Sequence, residues 1–202
     1  MGYLTESNFQ TISDIRNCEW EIIPDVSPQI IRNCSKCGCK SNYINTGSFR
    51  VNANGNRVDV WLIYQCSKCK TTYNITIYER ISPKKIPREE YEGFLANDPQ
   101  LALEYSFNSN ILKREKAEIC MEDGAYHIRE RILTDAEEAE MSRIVIRNPY
   151  HIRIRLDKLI AGKLDISRTA VRQAMKEKII EGRDGKSLEK AFAMDGMVVR
   201  WK

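Results

Sequence analysis

Four of the seven cysteines in this 202-residue chain stand in two copies of one tetrapeptide, CSKC: Cys34 with Cys37, and Cys66 with Cys69. A Cys-x-x-Cys knuckle turns two thiolates toward one face of a tetrahedral Zn²⁺, and a second knuckle completes a Cys₄ shell. The 28 residues between the pairs are about what a β-hairpin consumes. Gly38, just after the first knuckle, suits the positive φ that such turns need; the second knuckle has Lys70 there. Four protein ligands leave no open position, so the expected cofactor is a structural Zn²⁺. Redox dithiols of the Cys-x-x-Cys type open helices in α/β folds, and neither pair precedes a helical pattern. Cys39 is either a substitute ligand or a spare thiol, and Cys18 and Cys120 read as small apolar residues.

The second constellation is basic. RLDKLIAGKLDISRTAVRQ, residues 155–173, contains five Arg/Lys. On the expected second helix, Val171, Ala174 and Met175 make an apolar stripe, while Arg168, Arg172 and Lys176 make a ridge on another face. Leu156, Leu159 and Ile160 give the first helix its stripe, with Arg155 and Lys158 outside. Residues 151–202 hold 13 Lys/Arg against 7 Asp/Glu, whereas the first 150 residues hold 19 against 21. The positive charge therefore sits in the C-terminal quarter, where packed helices presenting Arg155, Lys158, Arg168, Arg172 and Lys176 together would suit a polyanion.

These groups need elements to carry them. SFRVNANGNRVDVWLIYQC reads as a hairpin turning at Asn54-Gly55, and TTYNITIYERI continues the alternation. Its aromatics, Phe49, Trp61, Tyr64 and Tyr73, are expected in the core of a small β-rich domain, residues 19–82. After Pro83 and Pro87, NDPQLALEYSF begins a helix capped by Asp98, and 110–118 a second one. YHIRERIL fits strand or helix equally, and Thr134 with Glu137 offers a capping box, so 83–148 is expected to be mainly helical. Asn148-Pro149 interrupts the chain before residues 150–202. There helices are expected at 156–162 and 167–178, the latter capped by Ser167, then short strands around DGKSL and GMVVRW. The expected fold class is α+β and multi-domain: an N-terminal β-rich zinc ribbon, a helical middle segment and a small C-terminal α/β module.

The C-terminal order, Arg155-Leu156-Asp157-Lys158, then Ser167-Arg168, a basic helix and a strand, resembles the S4 RNA-binding domain over about 50 residues. That resemblance implies an RNA-facing role for Arg155, Lys158, Arg168, Arg172 and Lys176. The chain departs from the pattern at 178–186, KIIEGRDGK, where a Gly-x-Val-x-Val-Asn-Gly run is usual. From about Trp20 to the end, through CSKCGC, FRVNANGNRVDVWLIYQCSKC and NDPQLALEYSF, the chain also resembles a bacterial family known as domain of unknown function 1062. This implies a bacterial cytosolic protein and no particular activity.

No Gly-rich phosphate loop, G-x-S-x-G elbow or H-E-x-x-H occurs, and His127 and His151 lie away from any nucleophile in sequence. No apolar run approaches a membrane span, and MGYLTESNFQ has no secretory pattern, so a cytoplasmic location is expected. The leading expectation is a non-enzymatic, zinc-containing protein that binds structured RNA, with no membrane and no small-molecule substrate. The alternatives are an RNA-directed enzyme whose chemistry lies elsewhere in the chain, and a DNA-binding regulator of helix-turn-helix type.

Overall fold

The computed structural model describes residues 17–122, 124–133, 142–183 and 185–201. The chain divides into two compact units, Pro24–Ala125 and a discontinuous one made of Met1–Ile23 with Tyr126–Lys202. Each is built on a five-stranded sheet.

The sheet of Pro24–Ala125 contains β2 (Gln29–Cys34), β3 (Cys39–Asn54), β4 (Arg57–Cys66), β5 (Thr72–Ile81) and β6 (Glu118–Cys120), in the order β5-β4-β3-β2-β6. The β2–β3, β3–β4 and β4–β5 pairings are antiparallel, as short hairpins between successive strands require, and β6 joins β2 antiparallel as well. Strict alternation in β4 turns Val58, Val60, Leu62, Tyr64 and Cys66 to a buried face. Three short helices, α1 (Arg88–Ala96), α2 (Pro99–Ser106) and α3 (Ser109–Arg114), contribute Phe94, Ala102, Ile111 and Leu112 to the same core. Asp98 caps α2 by accepting from the Leu101 amide at 2.8 Å, and Asn108 caps α3. A bulge between Asn45 and Phe49 bends β3, and the Phe49 amide is taken by Asn97 Oδ1 at 2.6 Å, tying strand to helix end. Phe49 and Tyr64 are core residues and Tyr73 packs against the core. Trp61 faces the opposite side, beside Arg50.

The second unit orders β7 (Tyr126–Ile132), β1 (Cys18–Pro24), β8 (Ser142–Arg147), β10 (Met197–Trp201) and β9 (Ile180–Gly182) in one sheet. Here β1 and β8 are parallel, while β10 runs antiparallel to β8 and β9. Cys18, Trp20, Ile22, Ile144, Ile146, Val199 and Trp201 alternate onto its buried face. Helices α4 (Leu156–Leu164) and α5 (Arg168–Lys176) pack through Leu156, Leu159, Ile160, Val171, Ala174 and Met175, all buried. Ser167 caps α5, accepting from Ala170 N at 3.1 Å. The strand expected around DGKSL forms earlier, as β9.

Buried Asn148 clips this unit together. Its Nδ2 donates to the carbonyls of Ile152 (2.9 Å) and Ala193 (2.8 Å), and its Oδ1 accepts from the Ile152 amide at 2.9 Å. Asn148→Ala would strand these buried groups, so the urea midpoint should fall by the equivalent of about 2–4 kcal/mol. A change within experimental error would show that the clip carries little.

The structure corrects the expected α+β, multi-domain fold with its helical middle segment. Strands take up 43% and helices 25% of the described residues, in two sheets with few, short helices. Among the described residues of 83–148, expected to be mainly helical, there are three strands beside three α-helices of six to nine residues and one 3-10 turn. The physical reason is partnering. YHIRERI and SRIVIR both flank β1, and EIC pairs with β2, so inter-strand bonds override weak helical patterns. The capping box at Thr134 and Glu137 lies outside the described residues.

Candidate metal centre and basic cluster

The meander of Pro24–Ala125 brings the two knuckles together. Cys34 ends β2 and Cys66 ends β4, with β3 between them pairing to both. The four Sγ atoms of Cys34, Cys37, Cys66 and Cys69 lie within 4.8 Å of one another. Cys34 and Cys69 are 3.5 Å apart, Cys37 and Cys66 3.9 Å. A tetrahedron with metal–sulfur bonds near 2.3 Å has edges of about 3.8 Å, so the four thiols can hold one metal ion. The knuckles are near copies: Gly38 N bonds Cys34 O at 2.9 Å, and Lys70 N bonds Cys66 O at 3.0 Å. Lys70 adopts φ 63° where the first knuckle uses Gly38 at 67°, so the absent second glycine is no obstacle.

Proton affinity is uneven across the four sulfurs. The Tyr43 hydroxyl and the Cys37 amide draw the Cys34 thiol down to about 6, and Thr71 lowers Cys69. Cys37 is pushed up, first by hydrogen bonding to Cys69 and then by burial. Cys39 is exposed and outside the group, with its Sγ near Ser41 Oγ and Lys68 Nζ. Cys18 is buried and pushed up to about 12, chiefly by desolvation, which fits an inert packing residue.

In the other unit the basic residues are organised around one carboxylate. Asp157, in the first turn of α4, is 1% exposed. It accepts from Arg172 Nε at 2.6 Å, from Arg168 Nη2 at 3.0 Å and more loosely from Arg155 Nε at 3.4 Å. Burial acts to raise its pKa, but the hydrogen bonds from Arg172 and Arg168 prevail and hold the carboxyl below its usual range. Arg155 also donates to the Glu189 and Lys190 carbonyls and stacks with Arg153 about Phe192. Three of the five basic residues singled out in the sequence therefore converge on Asp157. Lys158 lies half-buried on α4, and Lys176 is exposed at the end of α5. Sequence reading gave Asp157 no role of its own. The available signal is an aspartate set among the apolar residues of the first helix, Leu156, Leu159 and Ile160, with arginines four apart on the next helix.

The same unit has a cleft of about 480 Å³ lined by Glu19, Glu21, Arg129, Arg131, Arg147 and Asp195. Its acids are already engaged: Glu19 by Arg131 (2.8 Å) and Arg147 (3.2 Å), Glu21 by Arg129 (3.4 Å). No nucleophile lines it among the described residues.

The first unit is thus an antiparallel β structure carrying four close cysteines, two of them buried, that could hold a metal ion. A family model described as protein of unknown function (DUF1062) matches residues 51–186, two thirds of the chain, and the chain belongs to that family. The match begins after the first knuckle and is narrower than the stretch from Trp20 onward. No curated protein and no solved structure matches the chain. Among the described residues, no helix is long and apolar enough to cross a membrane.

Proposed function

We propose that this protein binds structured RNA without catalysing a reaction, and that its Cys₄ group holds a structural Zn²⁺. The observation that carries the RNA reading is the Asp157 hub, which sets Arg168 and Arg172 in fixed positions while leaving their side chains 46% and 51% exposed. Each guanidinium has five N–H donors and spends only some of them on Asp157, so donors remain for phosphate oxygens. Three arginines against one carboxylate leave the hub positive. The resemblance of 155–202 to the S4 RNA-binding domain points the same way. Zinc is the metal that four thiolates without an open position favour in a reducing compartment.

The helix-turn-helix alternative fits less well. A recognition helix reads base edges from its N-terminal residues, and in α5 those are Arg168 and Arg172, turned toward Asp157. Phosphate contact demands less of their geometry. The test is to measure affinity for a structured RNA across a salt series, using Lys158→Glu with Lys176→Glu, which leaves the hub intact. Loss of two phosphate contacts should reduce the slope of log K against log salt by about 1.5–2. An unchanged slope and affinity, or no RNA binding by the unaltered protein, would sink this reading.

A further inference from the structure

The metal-binding end of the first sheet carries more positive charge than a tetrathiolate centre needs. We propose that Lys36, Lys40, Lys68 and Lys70 form a second contact surface for the phosphate backbone of RNA, an inference that rests on the RNA reading above. The two knuckles repeat their charges as well as their thiols. Lys36 and Lys68 stand between the cysteines of each pair, and Lys40 and Lys70 follow the pairs. All four are exposed. Lys68 Nζ comes within 3.8 Å of Cys39 Sγ, so the second knuckle's lysine reaches across to the first. All four lysines are carried by the two knuckles or the residues just after them, around one group of thiols.

Charge balance separates a binding surface from mere compensation. A divalent ion with four thiolates carries a net charge of about −2. That charge is already eased by the Cys37 amide, which donates to Cys34 Sγ at 3.4 Å, and by the hydroxyls of Tyr43 and Thr71. Four lysines exceed what is left. Of these four lysines only Lys40 has an ion pair among the described residues, at 3.8 Å to Glu118 with both side chains well exposed, and such pairs are worth little. Ammonium groups on a rigid, metal-clamped turn lose less freedom on meeting a phosphate backbone than the same groups on a mobile loop. They also need no particular base, which suits contacts that position an RNA rather than read it.

The experiment uses the full chain with Lys36, Lys68 and Lys70 all changed to Gln, leaving every cysteine in place. Zinc content and the salt dependence of binding to one structured RNA are measured side by side. The expected result is one zinc per chain, an RNA affinity lower by about tenfold or more, and a salt slope lower by about 2. Unaltered affinity and slope with zinc retained would overturn the proposal while leaving the Asp157 reading standing. Loss of zinc from the triple variant would also overturn it, because the lysines would then serve to balance the thiolates. Failure of the unaltered protein to bind RNA defeats both readings, and that arm is read first.

Discussion

Cys34→Ser should empty the metal centre. The unaltered protein should carry about one zinc per chain through dialysis against a weak chelator, and the variant close to none. Cys34 Sγ is buried, lies 3.5 Å from Cys69 and has its thiol drawn down to about 6 by the Tyr43 hydroxyl and the Cys37 amide. A serine hydroxyl at that point neither ionises near neutral pH nor bonds zinc well. Bound zinc would stabilise the folded unit by mass action, by about 4 kcal/mol when it stands at a thousandfold its Kd. That is a large part of the about 5–15 kcal/mol by which an ordinary domain is stable. The unit should nevertheless stay partly folded, unlike an isolated zinc finger, because Phe49, Leu62, Ile75 and Phe94 form a core that does not depend on the metal. Hydrogen exchange should rise first in the knuckles and the adjoining ends of β2 and β4. Cys39→Ser is the internal control, since Cys39 lies outside the tetrahedral group; it should keep both zinc and stability. If Cys39→Ser were to lose the metal instead, the ligand set would have to be redrawn around it.

This centre was legible in the sequence because its information is local. Each CSKC closes its own turn, and the alternation of β4 fixes which way Cys66 points once the hairpin is recognised. The two-helix packing of α4 and α5 was legible for a similar reason, since its apolar stripes recur at helical spacing within twenty residues. The sheet of the second unit was not. Its parallel pairing sets Cys18 against Ile144 and Trp20 against Ile146, more than a hundred residues away. No local period records such a partnership. YHIRERI, with apolar residues at Tyr126, Ile128 and Ile132, satisfies strand and helix templates about equally, and the choice falls to the neighbouring strand. The arginines were legible as a ridge but not as a hub. Their common partner lies on another helix, eleven residues before Arg168 and fifteen before Arg172.

That partner supports the second large prediction. Asp157→Asn keeps the size of the side chain and removes its charge, leaving Arg168 and Arg172 facing a neutral amide. Breaking a fully buried pair costs about 3–5 kcal/mol; because these guanidiniums are half in water, a loss of about 2–3 kcal/mol is expected at pH 7. The pH dependence isolates the cause. The folded-state carboxyl titrates below the usual aspartate range, through the hydrogen bonds of Arg172 and Arg168 acting against burial. Its stabilisation is therefore complete above the unfolded value of about 3.9 and is lost as pH falls through the depressed folded value. Urea midpoints of the two proteins should differ most at neutral pH and converge below about pH 4. A gap that stayed constant down to pH 2.5 would mean that Asp157 acts by shape and packing rather than by charge. The proposed RNA binding would give an independent readout. The variant loses one negative charge from a positive hub, so simple electrostatics would tighten its grip on phosphate. If instead Asp157 serves to hold Arg168 and Arg172 in register, affinity should fall while the salt slope, which counts the phosphates neutralised, stays nearly the same. Weaker binding at an unchanged slope identifies Asp157 as a positioning residue, and tighter binding would show that the arginines need no such anchor.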